Sequence, residues 1–450
     1  MKQIIVTFGL LIGFGVFAQD HFSGISTSNR VGILNGGINP AEFSNLSKKI
    51  EVNIYGLSFN VSNNKIGFKD LTSDTNLEDL IFKGTEPVNM RIDGQILGPS
   101  FALKLMKWGF GVTTKANIKF DVINVDPTIG NAIYNNNDIA FITLLNKSGN
   151  QRFAGTSYGE VGLSVARTIF ENDKNKFDAG ITVKFLFPGS YSNFGLRNLS
   201  GTITESSGSS YLTTSQSANL NIAYSGGLAD SFSNFNDYTK SIFGGLNGVA
   251  TDIGITYQLK DGKSKYKIKG GIAIRNIGSM TFKDDNNYNT NYSLNIQPNL
   301  QNLQGLDLSQ FNNVDNLQDV EDILIQNGYL VAQPRNKSDF KVNLPTLFTL
   351  YGDFKIIPKV YITGYLQQKM QKDTGDNQIT AQNIFSVTPR INLGFFEGYI
   401  PISNNDIAGT NVGIGFRLGG FYLGSSSIFT ALTSDSKQAD IYTGFRFAFL

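Results

Sequence analysis

Apolar and polar side chains alternate with a period of two along much of this chain, most regularly from Asn383 to Leu450. Val412, Ile414, Phe416 and Leu418 share one face there, with Gly413, Gly415, Arg417 and Gly419 on the other. The last segment repeats the pattern, with Ile441, Thr443, Phe445, Phe447 and Phe449 opposed to Tyr442, Gly444, Arg446, Ala448 and Leu450. A period of two marks a strand with two different faces. Left open, a phenylalanine-faced strand is an aggregation-prone edge; closed onto the first strand of a barrel, it turns the same phenylalanines to lipid. The expected fold class is therefore all-β, a transmembrane antiparallel β-barrel.

Segments upstream sort their faces in the same way. Phe110, Val112, Ala116, Ile118, Phe120 and Val122 alternate with Lys115, Asn117, Lys119 and Asp121. Ile181, Val183, Phe185 and Phe187 oppose Thr182 and Lys184, and Ile253, Ile255, Tyr257 and Leu259 oppose Asp252, Thr256, Gln258 and Lys260. Tyr266, Ile268, Ile272 and Ile274 oppose Lys265, Lys267, Lys269 and Arg275. A lysine on the lipid face at mid-membrane costs roughly 2–4 kcal/mol, so the basic face must point inward. This assigns Lys115, Lys119, Lys184, Lys267, Lys269, Arg275, Arg417 and Arg446 to the lumen. It also implies that Ile272→Arg damages assembly, whereas Lys269→Gln is tolerated.

Short connections at Met106–Lys107, Glu171–Lys176, Lys260–Lys265 and Phe354–Pro358 fit periplasmic turns, which leaves the long connections outside the cell. With 50–61 ascending, strands are expected near 99–106, 108–121, 157–169, 177–187, 248–259, 265–281, 342–353, 358–369, 383–395, 396–403, 408–418, 420–428 and 439–449. The total, about fourteen, is even, as bacterial barrels require. Thr202 to Tyr224 also alternates and is placed in an extracellular hairpin; as a pair within the wall it would make the count sixteen. Long loops then fall at about 62–98, 122–156, 188–247 and 284–340. The last is polar, with Val314, Leu317, Val320, Ile323 and Leu324 spaced as the stripe of a surface helix. Such a helix would cap the extracellular mouth; the alternative is a mobile loop.

Composition supports an exported membrane chain. Charged residues make up 16% of the sequence, and Gly (48), Phe (35) and Tyr (18) are abundant; soluble domains carry about 25% charged residues. Residues 1–18 read as a signal peptide: Met1, Lys2 and Gln3 give a basic start, Ile4 to Phe17 an apolar run, and Ala18 the cleavage position. The chain has no cysteine, which removes disulfides, thiolate metal sites and a lipid-bearing cysteine. After the signal no apolar run is long enough for a spanning helix, and backbone polar groups in lipid must all be paired, which leaves a closed barrel. A formal net charge of +2 gives no argument for nucleic acid.

Candidate chemistry is sparse. Gly155-Thr156-Ser157-Tyr158-Gly159 matches a nucleophile-elbow pattern, but such a serine needs a histidine base and a strand-to-helix turn. The single histidine, His21, lies beside the expected cleavage site, and Ser157 opens an alternating strand. Gly262-Lys263-Ser264 lacks the first glycine of a phosphate loop, since Tyr257 stands there. No enzyme activity, cofactor or metal is expected. One motif stands where a barrel would need a closure: in 19–49, ahead of the barrel at 50–450, Asn39 is a good helix N-cap and Pro40 suits the first helical position. Asn39, Pro40, Ala41 and Phe43 are thus the candidate plug or gate, or else an ordinary capped turn.

This Asn-Pro-Ala segment resembles the amino-terminal plug of FadL-type barrels, the long-chain fatty-acid transporters, and of PorV-like relatives in Bacteroidota. Thr388-Pro389-Arg390, Gly398-Tyr399-Ile400-Pro401, Gly413-Ile414-Gly415-Phe416-Arg417-Leu418-Gly419 and Phe421-Tyr422-Leu423-Gly424 together look like an uncharacterised Bacteroidota outer-membrane barrel family within that wider group. A FadL-like role would imply passive uptake of a hydrophobic or amphipathic molecule, captured at the mouth and released past the plug. A PorV-like role would imply docking of secretion, gliding or surface-assembly proteins; a structural barrel is the third alternative. Either way the chain would sit in the outer membrane, in contact with its lipid.

Overall fold

The computed structural model describes residues 21–72, 76–134, 142–147, 149–229, 244–261, 264–300, 302–312, 314–331 and 338–449; the expected signal peptide lies outside them. None of the helices in these residues is long and apolar enough to cross a membrane. The chain closes instead into a 14-stranded antiparallel barrel. Its first strand, β1 (Ile50–Asn63), pairs with its last, β24 (Gln438–Phe449), with Val52 opposite Phe447 and Leu57 opposite Thr443. No edge is left open, which is the condition for a β-sheet in lipid.

Between these, β2 (Val88–Leu97) and β3 (Ser100–Leu105) together form the second stave. It therefore begins eleven residues earlier than the sequence pattern suggested, although Met90, Ile92 and Ile96 alternate there with Arg91, Asp93 and Gln95; Gly98 and Pro99 separate this run from the next one. There follow β4 (Trp108–Val125), β6 (Gln151–Glu171), β7 (Asn175–Arg197), β11 (Gly248–Asp261) and β12 (Ser264–Phe282). The next staves are β15 with β16 (Phe340–Asn343, Leu347–Ile357), β17 (Val360–Lys369) and β18 (Ile384–Asn392). The last are β19 with β20 (Phe396–Tyr399, Ile402–Asn405), β21 with β22 (Gly409–Val412, Ile414–Leu418) and β23 (Phe421–Ser425). Phe110, Val112, Leu163, Ile181, Ile255, Ile272, Leu350 and Phe447 are exposed on the outside and form an apolar belt. Their neighbours one position away are buried inside, as alternation demands.

The wall does not stop at the top of this belt. Beyond Leu186, β7 exchanges its partner β11 for β10 (Ala218–Ser225), which in turn pairs with β13 (Tyr288–Leu294). The exchange coincides with a bulge: Tyr158 faces Pro188 and Ser157 faces Ser190, leaving Gly189 without a partner. One extra residue reverses which side chains point outward. Below it Val183 and Phe185 face out; above it Ser192, Phe194 and Leu196 do, aligned with Gly155 and Phe153 of β6.

A cap covers the outward face of this extension. It contains a four-stranded sheet of β5 (Ile142–Lys147), β8 (Leu199–Ser206), β9 (Ser209–Thr214) and β14 (Leu306–Asp307). With it pack α2 (Leu77–Ile81), α3 (Pro127–Tyr134) and α4 (Leu317–Gln326), counting the plug helix α1 (Gly32–Ile38) first. The expected hairpin from Thr202 to Tyr224 is thus divided: β8 and β9 make the hairpin, while β10 joins the wall and leaves the number of barrel staves unchanged. Helix α4 carries the expected stripe, but Leu317 and Leu324 pack into the cap cluster with Leu220, Ile222 and Tyr292, not over the mouth.

Candidate functional site

The segment expected to act as a plug lies against the inner side of the wall near the short turns, in contact with β3, β4, β6, β7 and β11. After α1, a 3-10 turn runs from Pro40 to Asn45, with Asn39 in an extended conformation ahead of it. The Asn39 side chain links turn to wall: its Oδ1 accepts from Ala41 N at 3.0 Å, and its Nδ2 donates to Ile255 O (2.9 Å) and Ile272 O (3.2 Å). Wall glycines make the room. A Cβ at Gly180 would lie 2.6 Å from the backbone of Pro40 and Ala41, and one at Gly111 would lie 2.4 Å from the Phe43 ring. Ala41 and Phe43 are buried against them.

The basic side chains of the lumen are neutralised by partners on the same inner surface. Lys269 lies 2.7 Å from Glu42 of the plug, and Tyr351 Oη also donates to Glu42. Lys184 pairs with Asp252 (2.8 Å), Lys115 with Glu160 (3.1 Å), and Lys119 with Asp93. Arg417 pairs with Glu397 (3.1 Å), which also lies 3.4 Å from Arg390, itself 2.7 Å from Asp353. Arg446 lies 3.0 Å from Glu51, and the Glu51 carboxylate accepts from Gly32 N (3.0 Å) and Ile33 N (2.9 Å), so a wall residue caps the first turn of α1. Arg275 donates to neutral oxygens, those of Thr349 (3.0 Å), Gly37 (3.3 Å) and Tyr365 (3.4 Å). The lumen is therefore not an open basic channel for anionic head groups. Carboxylates at Glu42, Glu51, Asp353 and Glu397 complete the set; the last three stand at inward strand positions, whereas Glu42 sits in the 3-10 turn, where no alternation marks it.

Lys267 departs from its expected place. It is exposed, while Tyr266 turns inward to donate to Asp353. A register shift falls there: Leu259 faces Ile268 but Asp261 faces Ser264, so β12 carries two extra residues at its start and the regular alternation is interrupted across Tyr266 and Lys267. The serine of the elbow-like motif is structural as well, since Ser157 Oγ accepts from Ser190 N at 3.1 Å beside the bulge. His21 lies elsewhere, with Nε2 3.1 Å from Asp93. Among the described residues no cluster of His, Asp and Glu could hold a metal.

The connection between β17 and β18 folds inward across the long-loop end of the barrel. Arg152 donates to the carbonyls of Asp376 (2.8 Å) and Gln378 (3.0 Å), Tyr191 Oη to that of Asp376 (2.9 Å), and Ile379 packs among Tyr191, Phe282 and Phe340.

The feature with the chemistry of a binding site lies outside this lumen. A cavity of about 220 Å³ sits between the wall extension and the cap. Met90, Phe120, Val122, Phe153, Phe194 and Leu196 line it from the wall; Phe82, Ile133, Phe311, Leu317 and Leu324 line it from the cap. Ser192 is its one polar side chain among the described residues. The wall residues all belong to the outward parity, since Val122 is aligned with Met90 and with Phe153, and Phe153 with Phe194. Their immediate neighbours face the lumen and are polar: Arg91 donates to Asp121 at 2.6 Å, and Arg152 to Asn193 at 3.0 Å. Helix α4 is fastened over the cavity by Glu321, fully buried, which accepts from Tyr288 Oη (2.6 Å) and from Tyr292 Oη. Burial, and then the adjacent Glu321, pushes both tyrosine hydroxyls above their ordinary range. Alternation revealed the residues of this site but not the site, because no local pattern shows which loop covers an outward face.

A closed antiparallel barrel with an apolar belt, a plugged lumen and a capped apolar cavity defines the class of protein. The chain belongs to a family of unknown function, DUF5723, whose model matches residues 40–426. No curated protein matches it. Solved structures that resemble it include the Ralstonia pickettii toluene transporter TbuX, at 10% identity, with 93% of this chain and 94% of that one covered and a TM-score of 0.42. The Pseudomonas putida toluene transporter TodX matches at 10% identity over 96% and 98% of the two chains, with a TM-score of 0.41. A Pseudomonas aeruginosa FadL homologue matches at 8% identity over 96% and 98%, with a TM-score of 0.39.

Proposed function

We propose that this protein is an outer-membrane barrel that binds an uncharged hydrophobic small molecule at the cell surface and admits it to the cell, a FadL-like passive transport role. The observation that carries this reading is the capped cavity of about 220 Å³, which among the described residues has a single polar side chain. An apolar cavity of about 150 Å³ in a protein interior stays dry and takes up benzene, so a somewhat larger one suits one or two fused rings. Among the described residues no basic side chain lines it, and an ionised carboxylate buried there would lose its hydration without compensation. The ligand is therefore a neutral hydrocarbon or ether in preference to a fatty-acid anion. In the same reading Asn39, Pro40, Ala41 and Phe43 are the closure that keeps the lumen shut to solutes.

The test is a fluorescence titration of the purified barrel with 1-aminonaphthalene, a probe of two fused rings that is uncharged at neutral pH. Saturable binding by the wild type, lost in Phe194→Glu and kept in the lumen variant Arg275→Gln, supports the assignment. Absence of binding, or equal binding by Phe194→Glu, contradicts it.

A further inference from the structure

The cavity and the lipid belt occupy the same side of the wall, and one apolar strip connects them. On β2 the outward positions run Ile96, Gly94, Ile92, Met90; on β4 they run Ala116, Ile118, Phe120, Val122, each facing its counterpart across the ladder. Ile96 is 43% exposed within the belt, Ile92 and Ile118 are half-buried above it, and Met90 and Phe120 are buried in the cavity lining. No polar side chain interrupts either row. A route inward is of a different kind: it would separate the β2–β4 hydrogen bonds and pass the Arg91–Asp121 pair, both side chains of which are buried.

We infer that the ligand passes between the cavity and the outer leaflet along the outside of β2 and β4 and never enters the lumen. This rests on the binding function proposed above and assigns it a direction. A neutral hydrocarbon moving down the strip exchanges one apolar surface for another and meets no group that must be desolvated. The plug is then compatible with uptake, since its ties to Lys269, Glu51 and Ile255 need not break for the ligand to move.

Gly94 is the position at which to interrupt the strip. It does not line the cavity, and a Cβ there would make ordinary contacts, 3.6 Å from Phe59 and 3.9 Å from Ile118 Cβ. The experiment compares uptake of 1-aminonaphthalene by intact cells expressing wild type, Gly94→Arg and Gly94→Leu, with equilibrium binding of the same probe to each purified protein. The expected result is unchanged binding, barrel-dependent uptake lowered about tenfold by the charge in Gly94→Arg, and near-normal uptake with Gly94→Leu. If Gly94→Arg does not assemble, judged by the shift in migration on boiling, Gly94→Gln replaces it with the same expectation. Wild-type uptake by an assembled polar variant, or no uptake above cells lacking the barrel, overturns the route. Failure of the wild type to bind the probe overturns the binding function itself, and the two failures are read from separate measurements.

Discussion

The Lys269 ammonium lies 2.7 Å from the Glu42 carboxylate, a buried ion pair that joins the barrel wall to the plug. It changes what Lys269→Gln should do. Alternation placed Lys269 inward and suggested that its charge is dispensable; with Glu42 opposite, removal of one partner leaves the other uncompensated. Breaking a buried pair costs about 3–5 kcal/mol, whereas replacing both partners is often near neutral. Lys269→Gln and Glu42→Gln should each lower the temperature at which the barrel's band shifts on a detergent gel, and the double variant should recover most of the loss. Additive losses in the double variant would show that the pair does not hold the plug.

The glycine notches give a steric test. Gly180→Val places a side chain where the Pro40–Ala41 backbone now lies, so the plug must move. Gly364, around which a Cβ would meet nothing within 4 Å, is the matched control. Planar-bilayer recordings should show added conductance for Gly180→Val and wild-type silence for Gly364→Ala. Equal, closed behaviour of both would separate the plug from the lumen's permeability.

The outer face is tested by Ile272→Arg. Ile272 is exposed in the apolar belt, where a charge costs roughly 2–4 kcal/mol near the bilayer midplane. The yield of heat-modifiable barrel should fall well below that of Ile272→Leu; equal yields would remove this segment from the lipid-facing wall.

The fastening of α4 should be sensitive to alkali. Tyr288 and Tyr292 have hydroxyls raised above the ordinary value of about 10. A group whose folded pKa is raised contributes stability that is complete below its unfolded pKa and lost as pH climbs toward the folded one. The contribution is therefore whole at neutral pH and declines above about pH 10. Absorbance titration at the tyrosinate band should show a late-ionising fraction, part of which moves to lower pH in Glu321→Gln as Tyr288 and Tyr292 lose the adjacent carboxylate. Ordinary titration of all tyrosines in the wild type would contradict the buried Tyr–Glu arrangement.

Closure of the barrel and the identity of most lining residues could be read from alternation, because a side-chain period of two survives wherever a strand separates lipid from a packed lumen. Ile272 against Lys269 and Val112 against Lys115 are examples. Two bulges broke that inference. The unpaired Gly189 of β7, which follows Pro188, reverses parity above it, and the two-residue surplus at the start of β12 interrupts the alternation where Tyr266 lies inside and Lys267 outside. The plug motif was visible in Asn39 and Pro40, but its anchors Glu51 and Glu397 were overlooked beside the more numerous bases. The cavity was hidden for a further reason: Phe120 and Phe194 look like lipid-facing residues in sequence and become a binding surface only because distant segments fold over them.

Diffraction from crystals of the barrel soaked in 1-bromonaphthalene, read at the bromine absorption edge, tests the central claim most directly. We expect one anomalous peak between Phe120 and Leu317, outside the wall and beneath α4. A peak inside the lumen, or none in the cavity at saturating ligand, would contradict it.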